Sequence, residues 1–169
     1  MSIYGAPEMA GSWRTVRKNT IQIAEDIPAS EYQYKATPDV MSVGEMLAHL
    51  ATSTHWASQL HFVDMKHAMV SEDFMRYMGE GAAMAAALTA KGEIVDALIA
   101  NGEAFALQLE AMSDAQLDEL VSWPGGSKTR LDMLLGVKEH EMHHRAQLML
   151  IERLLGIVPH LTRARQQRS

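Results

Sequence analysis

The chain has 169 residues, of which 47% are apolar and 21% charged, with 15 basic residues, 21 acidic residues and no cysteine. That length fits one compact domain, and that composition is ordinary for a globular protein. The missing cysteine excludes disulfide scaffolds, thiolate zinc sites, iron-sulfur clusters and a cysteine nucleophile, so any metal chemistry has to use His, Asp or Glu. A net charge of −6 is the wrong sign for neutralising nucleic-acid phosphates.

No apolar run approaches the roughly 18 residues that span a bilayer, and Met1 to Ala10 lacks the basic start and apolar stretch of a signal peptide. The expectation is a cytoplasmic protein without membrane or nucleic-acid partners. A domain over residues 1–160 is expected to be followed by a solvated basic tail, residues 161–169, carrying Arg163, Arg165 and Arg168.

Ala, Leu, Met, Glu and Gln dominate, and alternating strand patterns are missing, which predicts an all-α fold. A first helix runs from about Met9 to Asp26, with Met9, Trp13, Val16, Thr20, Ile23 and Ile27 on one face, and Pro28 ends it. After an extended stretch, Ser42 followed three residues later by Glu45 has the capping-box pattern. Helix two starts there and is expected to continue to about Phe62, with Val43, Met46, Leu47, Leu50, Ala57 and Leu60 inward. Gly79 and Gly81 interrupt the segment from Val63 to Thr89, which reads as one or two short helices.

A longer helix spans about Lys91 to Met112 on Ile94, Val95, Leu98, Phe105 and Leu109, despite the turn signal Asn101-Gly102. Ser113 to Gln116 is a second capping box, and Trp123-Pro124-Gly125-Gly126 reads as loop. The last helix opens at Thr129, paired with Asp132, and closes at Gly156 with Pro159 beyond it. Four long helices make a bundle.

The chemistry rests on eight histidines, at positions 49, 55, 61, 67, 140, 143, 144 and 160. Steps of six turn successive imidazoles about 120° and carry them about 9 Å along a helix, so neighbours among the first four cannot share an ion. His55, His61 and His67 therefore read as surface or rim residues. His140 and His144 lie four apart, about 40° around the axis and one turn along it, the spacing that lets two imidazoles reach one metal. Their face holds Met133, Val137, Leu148, Ile151 and Leu155, with Lys138, Glu141, Arg145 and Glu152 on the opposite side and His143 at the edge.

Imidazoles on an apolar stripe need a hydrogen-bond partner or a metal to offset their desolvation. Spacing alone leaves both readings open. A third ligand has to come from another helix, and His49, on the apolar side between Trp56 and Leu60, is the candidate, although a lone histidine there is equally compatible with a structural role. Glu45, one turn before His49, is occupied by its cap. Gln147, one turn beyond His144 on the inner face, is a candidate to support a ligand or touch substrate. Met46, Met133, Met142 and Met149 sit at helical positions that suit core filling better than soft metal binding.

The stretch Ser42-Val43-Gly44-Glu45-Met46-Leu47-Ala48-His49-Leu50, with His140-Glu141-Met142-His143-His144-Arg145-Ala146-Gln147-Leu148 and Leu155-Gly156-Ile157-Val158-Pro159 downstream, resembles the DinB/YfiT-like superfamily. The resemblance covers most of the chain and departs at Ala146, where members often have Gly. It implies a four-helix bundle with up-down-down-up connectivity, often dimeric, and a divalent metal such as zinc or nickel held by His49, His140 and His144. His143 precedes the last ligand without being one.

Three protein ligands leave positions open for water or substrate, the feature that separates reactive from closed sites. Some branches of the superfamily are thiol S-transferases using low-molecular-weight thiols. The resemblance therefore implies a transferase of that type acting on a small electrophilic substrate. The alternatives are a metal-dependent hydrolase using bound water and a non-catalytic metal-binding bundle. Substrate contacts are expected from Val63 to Thr89 and Trp123 to Lys128.

Overall fold

The computed structural model describes residues 4–167, and Arg168 lies outside the described residues. Helix α1 spans Ala6–Asp26, three residues earlier than its apolar periodicity, because Pro7 fits a first turn and the Glu8 carboxylate accepts from the Gly5 amide at 3.0 Å. Its stripe of Met9, Trp13, Val16, Thr20, Ile23 and Ile27 is buried throughout.

Helix α2, Val43–Thr52, opens with the expected reciprocal cap between Ser42 and Glu45. It stops short of Phe62. The Thr52 hydroxyl donates to the Ala48 carbonyl and the Ser53 hydroxyl to the Leu50 carbonyl, competing with the backbone ladder, and a turn intervenes before α3, His55–Ser58. A π-turn, Gln59–Val63, follows, closed by the Asp64 amide on the Gln59 carbonyl.

Residues expected as one or two short helices form a single one, α4, Ser71–Ala87. Gly79 and Gly81 do not break it, since a glycine inside a helix costs only about 1 kcal/mol relative to Ala. Helix α5, Lys91–Glu110, runs through Asn101-Gly102 because both are fastened. Asn101 donates its amide to the Ala51 carbonyl, and the Gly102 carbonyl accepts from Trp13 Nε1 at 2.8 Å.

Helix α6, Asp114–Asp118, follows its predicted cap. Next comes a small addition to the all-α fold, where the sequence reads as loop. Leu120–Trp123 (β1) and Gly126–Thr129 (β2) form an antiparallel hairpin around Pro124-Gly125, with Trp123 opposite Gly126. Segment 67–69 is tied to it by the Met69 amide on the Ser122 carbonyl and the Ser122 amide on the His67 carbonyl.

Helix α7, Arg130–Leu154, starts from the Thr129 cap, and Gly156 beyond it takes φ +77, the left-handed conformation that suits glycine. The basic stretch folds as α8, His160–Gln166, with Arg163 paired to Asp26 at 2.6 Å and His160 bonded to Asn19.

Cross-helix bonds fix the topology. Trp13 meets Gly102 while Lys91 reaches the carbonyls of Glu25 and Ile27, so α1 and α5 are antiparallel. Asn101 meets Ala51 and Ser58 meets Gln108, so α2 with α3 runs alongside α5 in the same direction. Lys138 reaches Ser12 while α8 closes on Asn19 and Asp26, so α7 runs with α1. The result is an up-down-down-up bundle of α1, α2–α3, α5 and α7, with α4 laid against α2 and α3. Among the described residues no helix is long and apolar enough to cross a membrane.

The core forms three clusters, one around Leu47, Leu50, Ile23, Leu98 and Leu148, one around Trp13, Phe105, Leu109 and Val137, and a smaller one of Leu60, Met69, Tyr77, Val121 and Met133. Met46 and Met133 are buried and Met149 half-buried, as core filling requires, but Met142 is 41% exposed.

Candidate metal centre

Two elements bring three imidazoles together. His49 sits in the last turn of α2, and His140 and His144 lie one turn apart in the middle of α7. One ring nitrogen from each falls within 4.8 Å of the other two, and all three residues are half-buried. His49 Nε2 and His140 Nε2 stand 3.1 Å apart. Two nitrogens bound at about 2.0–2.1 Å to one tetrahedral ion would stand roughly 3.3 Å apart. The donor set, three imidazoles and no thiolate, suits zinc, nickel or another borderline divalent ion.

The electrostatics favour ligation over protonation. Burial, together with the neighbouring imidazoles, pushes His140 down to about 4, and burial with the nearby His144 lowers His49. Both are therefore neutral, with lone pairs available, at physiological pH.

The support around the ligands differs from the sequence reading. Gln147 is exposed, yet its Oε1 stands 2.8 Å from His144 Nδ1, and its Nε2 is 3.2 Å from His143 Nε2. An Nδ1–H donor on His144 leaves Nε2 as the free lone pair. His143 is exposed and lies outside the cluster. His55 bonds Glu80 at 2.7 Å and His67 is at the surface.

His61 corrects the expectation of a rim residue. It is only 3% exposed, its Nδ1 is 3.0 Å from the buried Arg130 guanidinium, and burial beside that cation pushes it down to about 3. The π-turn displaces it from the face a regular helix would give it.

Glu141 and Glu152, placed on the side of α7 opposite the apolar stripe, are both fully buried. Glu141 is 2.8 Å from Arg17 and accepts from Thr20 at 2.8 Å, so the residue after His140 is anchored to α1. Burial pushes its carboxyl up against the pull of Arg17. Gly102 makes room for this pair, since a Cβ there would meet Arg17 Cγ at 2.6 Å. Glu152 lies near Asp26 and Arg163, and burial pushes it up to about 7. A helical wheel supposes one buried face, and α7 has more than one because α1, α2 and α8 all surround it.

His49 and His140 open onto a cleft of about 270 Å³ between α2–α3, α4 and α7. Trp56, Phe74, Tyr77, Met78 and Val137 give it apolar walls, and no lining residue is an Asp, Glu, Lys or Arg. Of segment 63–89, expected to contact substrate, α4 lines the cleft; Trp123 lines a second groove that shares Phe74 with it. Glu45, spent on its cap and on Lys35, lies away from the cleft. Such a site can polarise or deprotonate a ligand, but the cleft itself supplies no carboxylate base.

A model described as the DinB superfamily matches residues 12–148 of the chain. Among solved structures, a DinB-like protein from Bacillus subtilis is 23% identical, with alignment over 88% of this chain and 92% of that one and a TM-score of 0.59. At that identity the likeness carries the fold alone. No curated protein matches the chain.

Proposed function

The chain belongs to the DinB superfamily, and from that premise we propose that it is a divalent-metal-dependent transferase of the thiol S-transferase type. It joins a low-molecular-weight thiol to a small electrophilic substrate. The observation that carries this reading is the meeting of His49, His140 and His144, the first two of which line an uncharged cleft. When bound there, zinc or nickel supplies the Lewis acidity that keeps a small thiol deprotonated at neutral pH. His49, His140 and His144 hold the ion, and Gln147 orients His144. Trp56, Tyr77 and Val137 give the reacting groups apolar walls. A hydrolytic reaction usually draws on a carboxylate base, whereas a thiolate attacks without one, so the neutral lining favours the thiol. A free-thiol cosubstrate also fits the cytoplasmic location expected of the chain.

The test is loss of a model electrophile, 1-chloro-2,4-dinitrobenzene, with zinc- or nickel-loaded protein and a small thiol. Turnover that needs both thiol and metal and disappears in His144→Ala is expected. Consumption that proceeds without thiol would point to the hydrolase reading, and no turnover at full metal occupancy to the metal-binding bundle.

We also propose a homodimer. The outer side of α7 exposes Met142, Ala146, Leu150 and Leu154 at intervals of four, an apolar stripe on an otherwise charged helix. Sedimentation of the wild type and of Leu150→Glu checks it: a dimer is expected for the first and a monomer for the second.

A further inference from the structure

The metal cleft does not end at α4. Phe74 is shared with a second, shallower groove of about 360 Å³, floored by the buried Met69 and walled by Met75 and the hairpin tip at Trp123 and Pro124. Phe74 and Met78 are one turn apart on α4 and lie side by side, Met78 toward the histidines and Met75 toward the hairpin. The two apolar linings therefore adjoin at Phe74, one reaching His49 and His140 and the other Trp123. Both are open to water: Phe74 is 39% exposed, Met78 40%, Met75 70% and Trp123 38%.

The Trp123 end is held in place. Trp123 pairs with Gly126 across the hairpin, and Lys128 Nζ stands 5.4 Å from its ring centre. A Cβ on Gly125 would come within 3.3 Å of Trp123 Nε1, so the small turn residue lets the indole lie over it. The Met69 and Ser122 backbone bonds fasten floor to wall. Three flexible thioethers, Met69, Met75 and Met78, line a path between rigid aromatic ends, a surface that accepts apolar groups of varied shape.

We propose that this groove is the tail subsite of the metal centre, and that the substrate is an amphiphilic small molecule. Its metal-seeking head lies at His49, His140 and His144, and an uncharged aliphatic or aromatic tail crosses Phe74 to reach Trp123. The inference rests on the metal-site reading above. The occupant is a small molecule because the groove adjoins the cleft at Phe74, and their volumes together fall in the range of roughly 300–1,000 Å³ typical of ligand pockets. A stable protein partner would need about 800 Å² of surface on each side. The tail is neutral because neither the cleft nor the groove is lined by a charged residue.

The test uses the full chain loaded with Co²⁺ and two hydroxamates that share a metal-binding head, acetohydroxamate and octanohydroxamate, titrated by calorimetry. Octanohydroxamate is expected to bind at least about tenfold tighter, as burial of several methylenes allows. In Trp123→Ala, and separately in Met75→Ser, the ratio of the two affinities should fall to less than about threefold. Equal affinities in the wild type, or an unchanged ratio in both variants, overturns the tail subsite while leaving the metal reading intact. Failure of acetohydroxamate itself to bind defeats the metal reading, and this one with it. A dimer in sedimentation that Met75→Ser abolishes would make a second copy the occupant and also overturn the proposal.

Discussion

His144 Nδ1 faces Gln147 Oε1 at 2.8 Å across one turn of α7, a contact that with the proton on Nδ1 leaves Nε2 free. Replacing Gln147 by Leu should lower zinc affinity by about 10- to 100-fold, the usual effect of losing a partner behind a metal-binding histidine. Gln147→Glu, which keeps an acceptor, should retain affinity. Competition with a chromophoric chelator measures both, and equal affinity of Gln147→Leu and wild type would show that the contact sets nothing.

The proposed ligands separate cleanly from their neighbours. His49→Ala, His140→Ala and His144→Ala should each remove most tightly bound zinc or nickel, because two imidazoles make a much poorer site. His143→Ala and His55→Ala should keep it, since His143 is exposed and His55 is paired with Glu80. Metal content of the five purified proteins, measured after removal of any affinity tag, checks the assignment.

Beneath the three clustered histidines, the Arg17–Glu141 ion pair is buried on both sides, at 3% and 0% exposure. Glu141→Ala leaves a buried guanidinium without its counter-charge and should cost about 3–5 kcal/mol in urea unfolding. Gly102→Ala forces the 2.6 Å contact with Arg17 apart and should cost about 1–3 kcal/mol. The double change Arg17→Met with Glu141→Leu should recover most of the loss, because it removes both charges together.

Stability against pH has opposing contributions. Glu152, pushed up to about 7, keeps a proton in the fold that the unfolded chain releases near 4.3. Its contribution is therefore full below that lower value and is lost as pH rises toward 7. His61, pushed down to about 3, stays neutral in the fold while the unfolded chain takes a proton near 6.5, so its contribution fades as pH falls below 6.5. Glu152→Gln should raise the melting temperature more at pH 8 than at pH 4. An equal change at the two pH values would mean that Glu152 does not hold its proton in the folded chain.

What the sequence disclosed followed from local chemistry. The caps at Ser42, Ser113 and Thr129, the stop at Pro28 and the end at Gly156 are decided by residues within a few positions of one another, and the structure has each where the sequence puts it. His49, His140 and His144 were legible because their spacing and apolar neighbours are properties of single helices. Glu141, Glu152 and His61 were not, because their burial depends on Arg17, on α8 and on the π-turn, none of which leaves a periodic trace. The hairpin escaped because two four-residue strands are too short for an alternation to register. Helix α4 was obscured by its position: Tyr77 is its one fully buried residue among those described, so its apolar side chains follow the cleft and groove rather than a core.

His49 and His140 are separated by 91 positions in the chain. A donor set split that widely does not exist in the unfolded polypeptide, so an ion captured by these residues acts as a removable crosslink between the second and last helices of the bundle. At free metal about 1,000 times the dissociation constant, such a crosslink adds about 4 kcal/mol to the folded state. Chelation should then lower the melting temperature and hasten protease cleavage even where no reaction is being catalysed.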